Sequence, residues 1–395
     1  MDIRQSKTIA LFVGCAAVIF WVAVTEAIPA SWEMLRFGLL AALFLVSRIL
    51  FFRNIASPTP SGAIVMAIGI FINGAIMAFS TLDALARSFT LVLLVLFLFI
   101  LASYVLDLIR GRVYTAHFAD TVGQFAVGTW IAGTSVCGVA LCQRLPEWKP
   151  LVQVMVVGNI GLWLYFVFRA LQSFLQLLPA ASKHNVHGVL FLSTVSTQSL
   201  VIVWKAAFGE SSAYLLIAPW AIGLGVVLYC ISFYLIARRY VRQADDFDVD
   251  RDWFNTNCIT HGAMSITGLA SVVSGVVPTN FILLIWLWTI SWFLIIETIE
   301  VVRAVKRVSR HGLAGGVLVY DPTQWSRNFT FGMLYAFTMN VDLGQTSGAG
   351  SLLLSVHHTL ISFFPWVVLV VLLIEIAVFL CDRLSPVAAS PAMKS

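Results

Sequence analysis

Twelve runs of about 20 predominantly apolar residues follow one another along this chain, at 8–28, 33–52, 62–82, 88–109, 122–141, 150–178, 188–208, 211–238, 254–277, 279–303, 326–345 and 352–382. A helix rises about 1.5 Å per residue, so about 20 apolar residues cross the ~30 Å hydrocarbon core of a bilayer. In that core the backbone finds no water, and runs of this length satisfy it only as helices. The chain is 60% hydrophobic and 11% charged, whereas soluble domains carry about a quarter charged residues. The expected fold class is therefore an all-α integral membrane protein. The first run follows Arg4 and Lys7 and is long enough to span, so it reads as a transmembrane helix rather than a signal peptide.

The distribution of charge supports the count. With both termini cytosolic, 19 of the 24 Lys and Arg residues fall on the inner side, and only Arg36, Arg87, Arg144, Lys149 and Lys205 fall outside. This positive-inside bias implies a multi-pass protein of the cell (inner or plasma) membrane with N- and C-termini in the cytosol. The net charge of +5 is spread over short loops rather than gathered in one patch, so no nucleic-acid partner is expected. The six cysteines are scattered, with no CxxC pair, and read as free thiols. No nucleophile elbow, HExxH or phosphate loop occurs. The expectation is no enzyme, no cofactor and no metal.

From the third run onward the spans alternate in character. GQFAVGTWIAGTSVCG, LSTVSTQSL and HGAMSITGLASVVSG are small and polar, whereas LVLLVLFLFIL, ILLIWLWTISWFLII and FFPWVVLVVLLIEIAVF are bulky throughout. Small residues allow close helix packing or face a polar cavity, and bulky ones suit lipid. The alternation predicts an inner set and an outer set of helices, one of each per hairpin.

Four segments carry a family resemblance. His187-Gly188 with Ser196-Thr197-Gln198-Ser199, Trp253-Phe254-Asn255 with Gly262-Ala263-Met264-Ser265-Ile266-Thr267, Tyr320-Asp321-Pro322 with Trp325, Phe329, Gly332 and Met333, and the weaker Phe125-Ala126-Val127-Gly128-Thr129-Trp130 occur in this order. In these motifs the chain resembles the tellurite-resistance/C4-dicarboxylate transporter family, which groups TehA-like proteins with the plant slow-type anion channels. The resemblance implies a ten-helix core of five hairpins around a central pore over 58–384 and assembly as a homotrimer in the lipid bilayer; the first two runs are then an extra N-terminal hairpin over 1–57, and 385–395 is a cytosolic tail. It also implies a phenylalanine plug, which the motif places at Phe329. The proline that follows the plug in the family is Thr330 here, the next leucine is Phe331, and the asparagine of the first motif is His187. Phe331 is therefore a rival gate.

The expected function is an anion channel or transporter passing small inorganic or organic anions through a hydroxyl-lined pore in each subunit. The alternative is a secondary carrier or efflux permease for dicarboxylates, sulfite or tellurite-type oxyanions. Thr134, Ser135, Ser193, Thr194, Thr197, Ser265 and Thr267 are candidate pore-lining hydroxyls, with helix-to-helix hydrogen bonding as their competing role. His261, on a predicted inner helix, is either a hydrogen-bonded structural histidine or a group that tunes the pore near neutral pH. Lys205 reads as an anion attractor or a snorkelling lysine. Glu297 and Glu300 lie toward the cytosolic ends of spans, where pairing or water would satisfy them. The run Asp245, Asp246, Asp248, Asp250, Asp252 imitates a calcium loop without its Gly and terminal Glu and reads as a solvated loop.

Overall fold

The computed structural model describes residues 57–180, 185–343 and 350–384, which are helical almost throughout, with no β-strand among them. Apart from Gly38 and Ser57, the hairpin expected over 1–57 lies outside the described residues, as does the tail expected over 385–395. The long helices are α1 (Gly62–Asn73), α2 (Ala86–Ile109), α3 (Gly128–Arg144), α4 (Lys149–Ala180), α5 (Leu192–Phe208), α6 (Ser212–Arg242), α7 (Ile259–Ser274), α8 (Thr279–Val317), α9 (Trp325–Asn340) and α10 (Ser351–Leu384). Counted with the 3₁₀ turns that lead into them, eight helices are long and apolar enough to cross a membrane. The other two, α7 and α9, answer to the runs at 254–277 and 326–345; each is 16 residues long after a 3₁₀ turn.

The odd-numbered helices pack on one another in a sequence that returns to its start: α1 on α3, α3 on α5, α5 on α7, α7 on α9, and α9 on α1. Each even-numbered helix lies over one seam of that set, α2 on α1 and α3, α4 on α3 and α5, α6 on α5 and α7, α8 on α7 and α9, α10 on α9 and α1. The alternation of composition has its cause in this arrangement. In the segment containing α3, 83% of the most apolar window is buried, against 17% in α8, whose bulky residues face outward. A helix with that much apolar surface exposed is stable only with lipid around it.

Apolar burial drives little helix association where the solvent is lipid, so close contact and interhelical hydrogen bonds take that role. A glycine sits at every seam of the odd-numbered set. Gly62 lies on Thr129, Gly128 on Leu192, Gly188 on Thr256, Gly262 on Thr330 and Gly332 on Ile70, and a Cβ at any of them would overlap its neighbour. The even helices are tied on by side chains. Thr194 Oγ1 donates to the Gly225 carbonyl (3.0 Å), Gln198 Nε2 to the Ile222 carbonyl (3.1 Å) and Asn159 Nδ2 to the Ile131 carbonyl (2.9 Å). Such bonds contribute on the order of 0.6 kcal/mol each inside a membrane.

The odd-numbered helices share a further feature: each is preceded by a 3₁₀ turn, Thr59–Ser61, Gly123–Val127, Gly188–Phe191, Asn255–Cys258 and Pro322–Gln324, and these turns touch one another in the same cyclic order. All five N-termini therefore gather at one end of the bundle. Near that end the expected solvated aspartate loop is instead an ion-paired strap. Asp248 meets Lys306 (3.0 Å) and Arg310 (3.1 Å), and Asp250 meets Arg307 (3.3 Å) and Arg310 (3.0 Å). Hydrogen bonds from Arg310 and then Lys306 hold the Asp248 carboxyl below the ordinary carboxylate range. The paired side chains come from α8 just before it breaks at Gly312, whose φ of 71° suits glycine.

Candidate functional site

A cavity of about 120 Å³ lies among the odd-numbered helices and is lined by all five of them. The helices contribute Ile70 and Asn73 from α1, Ser135, Val136, Val139 and Gln143 from α3, Ser199 and Ile202 from α5, Ile266, Leu269 and Val273 from α7, and Met333, Ala336 and Asn340 from α9. The lining starts at or beyond the middle of each helix and runs toward its C-terminal end. Gln143 and Asn340 are exposed, so the cavity opens at the end of the bundle away from the 3₁₀ turns. Its volume holds several waters or a small anion.

The lining has no charged side chain; its polar groups are amides and hydroxyls. Asn73 Nδ2 donates to the Val136 carbonyl (3.0 Å), which leaves its Oδ1 without a partner. Ser135 Oγ donates to the Ile131 carbonyl (2.9 Å), accepts from Asn159 Nδ2 (3.0 Å) and lies 3.1 Å from Ser199 Oγ. At the open end two cations sit on C-terminal carbonyls. Arg144 reaches the Ile72 carbonyl (3.5 Å) and pairs with Asp83 (2.8 Å), while Lys205 donates to the Val273 carbonyl (2.7 Å) and pairs with Glu210 (3.1 Å). Helix C-termini carry partial negative charge, which such cations offset. Lys205 is thus committed to protein partners.

Helical periodicity tells what lies beneath the cavity, because residues four apart share a face. One turn toward the N-termini from the lining are Met66, Ile131, Ala132, Val195, Gly262 and Phe329, all buried. Phe329 is 1% exposed and stands on the same stripe of α9 as Met333, Ala336 and Asn340. By this spacing the residues one turn below the lowest lining position of each helix are apolar. Phe331 turns the other way. Its ring meets Phe293 of α8 (5.5 Å between centroids), Phe364 of α10 (5.8 Å) and His261 (6.4 Å), off the shared axis.

Of the candidate pore hydroxyls, Ser135 lines the cavity and the others do not. Thr134 donates back to the Trp130 carbonyl (2.8 Å), Ser193 to the Leu190 carbonyl (2.7 Å), Ser265 to the His261 carbonyl (2.9 Å) and Thr267 to the Ala263 carbonyl (2.7 Å). Thr194 ties down α6, and Thr197 donates to the Ser193 carbonyl (2.8 Å) while accepting from Trp163 Nε1 of α4 (3.0 Å). His261 is fully buried at the seam of α7, α8 and α9 rather than in the lining. Sequence reasoning missed Asn73, Gln143, Ser199 and Asn340. The 4-3-4 spacing of Phe329, Met333, Ala336 and Asn340 was the available signal for the lining face of α9.

Glu297 and Glu300 belong to a second polar cluster. Glu300 accepts from Arg327 Nη2 (2.5 Å) and Trp253 Nε1 (3.0 Å) and lies 3.5 Å from Arg303. Arg327 also approaches Glu297 (3.8 Å). Among the described residues no three His, Cys, Asp or Glu side chains come together as a metal site.

The chain matches no family model and no curated protein.

Proposed function

We propose that the protein passes small inorganic or organic anions through a passage along the axis shared by α1, α3, α5, α7 and α9, with Phe329 as its gate. The observation that carries this reading is the cavity lined by those five helices, with Phe329 buried one turn below the lining residue Met333 on α9. A narrow apolar layer excludes water and hydrated ions until the ring moves, whereas the amides and hydroxyls above it solvate an ion weakly enough to release it. Anion preference follows from two features. The lining holds no carboxylate, and the five N-termini gathered at the other end direct partial positive charge at an approaching anion.

On this reading the N-terminal ends of the odd-numbered helices face the cytosol, in agreement with the distribution of Lys and Arg. The resemblance to the tellurite-resistance/C4-dicarboxylate transporter family adds a homotrimer with one passage per subunit. Phe331, packed against two outer helices, is then a support of the fold rather than the gate.

The test is ion flux in liposomes containing the purified protein, under gradients of chloride, nitrate, sulfite and a C4 dicarboxylate. Net flux that follows the electrochemical gradient and discharges an imposed voltage is expected. Obligatory exchange without net current moves the reading to a carrier, and no movement of any of the four anions overturns it.

A further inference from the structure

His261 lies away from the cavity, buried beside a carboxylate. Its side chain is fully buried, and neither ring nitrogen has a hydrogen-bond partner among the described residues. Leaving both nitrogens of a buried imidazole unmatched costs on the order of 1–3 kcal/mol, a cost that persists only where something holds the ring there. Nε2 lies 3.9 Å from Glu297 Oε1, which is also without a hydrogen bond. A movement of about 1 Å would close the pair into a hydrogen bond of ordinary length.

The groups facing this pair come from every neighbouring helix. From α8 come Glu297, Glu300 and Arg303, from α9 comes Arg327, and Cys258 stands in the 3₁₀ turn before α7. Buried Glu375 of α10 lies within electrostatic reach of Arg327, with its Oε1 unmatched. On α5 and α6, Lys205 is engaged with Glu210, Arg238 with the Leu178 carbonyl and Arg239 with the Val186 carbonyl, and Arg242 is exposed at the end of α6. Arg327 thus serves Glu297, Glu300 and Glu375, while Arg303 meets Glu300 alone among them. Unbalanced charge in a largely buried cluster is disfavoured, and a proton held between His261 and Glu297 relieves it.

We infer that His261 and Glu297 together form a proton-binding site at the seam of α7, α8 and α9, and that its occupancy sets anion passage. The coupling rests on the transport reading given above, while the binding of the proton does not. The link to the gate is short. Arg327, which reaches both Glu297 and Glu300, lies two residues before Phe329 on the first turn of α9, and Phe331 on the same helix touches the His261 ring. Adding or removing a charge beside Arg327 alters what holds that turn in place.

Two measurements on the full chain separate the site from its consequence. In protein labelled with ¹⁵N-histidine in bilayers, the nuclear magnetic resonance signal that disappears in His261→Gln is followed from pH 4 to pH 9. It should titrate within this range, and Glu297→Gln should move its midpoint by at least about one pH unit. A His261 signal that never titrates overturns the site, as does one indifferent to Glu297→Gln. Because His261→Gln alone identifies the signal, the titration is read in the unaltered protein even if Glu297→Gln does not fold. The second measurement is chloride flux over the same pH range, where the unaltered protein should vary severalfold and both variants should lose that dependence. An unchanged pH profile in His261→Gln overturns the coupling. A titrating His261 in a protein that moves no anion supports the site and overturns the transport reading.

Discussion

Replacing Phe329 by Ala should raise anion flux on the order of tenfold or more, which corresponds to lowering the barrier by at least about 1.4 kcal/mol. The ring is buried one turn below Met333, on the stripe of α9 that continues into Ala336 and Asn340. If the passage runs there as proposed, truncation opens a water-sized path, and an ion that keeps part of its hydration crosses more readily. Emptying a buried Phe site also costs about 3–5 kcal/mol of stability. Phe331→Ala serves as the comparison, because it removes the same mass from the opposite face of α9, where the ring packs on Phe293 and Phe364. Both variants should lose stability, and only Phe329→Ala should gain flux. An equal gain in both would mean that loosened packing, not an opened gate, lets ions through.

The largest effect on stability should come from Glu300. Glu300→Ala is expected to destabilise the protein by about 3–5 kcal/mol, since removing one partner of a buried ion pair strands the other charge. Arg327 would keep Glu297 and the more distant Glu375, Arg303 would keep the Asn255 amide oxygen, and Trp253 would lose its acceptor. Glu300→Gln retains an acceptor for Trp253 Nε1 but not the charge, so it should fall between Glu300→Ala and the unaltered chain. The measurement is thermal unfolding in detergent followed by tryptophan fluorescence. A midpoint unchanged in Glu300→Ala would show that the pair is solvated and carries no structural role.

Much of the architecture is readable along the chain. Spans of adequate length, and small-residue spans alternating with bulky ones, follow directly from which helices pack among the others and which face outward. The phase of each inner helix is not readable in the same way. α5 and α7 are buried nearly all round, so no hydrophobic face points to the axis. A serine or threonine inside a helix, moreover, satisfies itself on the carbonyl three or four residues back. Thr134, Ser265 and Thr267 do this, so their hydroxyls signal tight packing more than contact with an ion. The amides that line the cavity, Asn73, Gln143 and Asn340, stand at helix ends, where polar residues are common for other reasons. The Glu297, Glu300, Arg303 and Arg327 cluster is equally hidden, because it joins two helices separated by a loop and its members look like ordinary interfacial charges one at a time.

The central claim is that ions travel through the cavity shared by the five inner helices. It is tested by chloride flux through Ala336→Cys before and after reaction with a small negatively charged thiol reagent, with Thr134→Cys and the unaltered protein as controls. Ala336 lines the cavity and Thr134 does not. The account predicts that modification blocks flux through Ala336→Cys and leaves the two controls unaffected. Flux that survives complete modification at 336, or falls equally in all three, would contradict it.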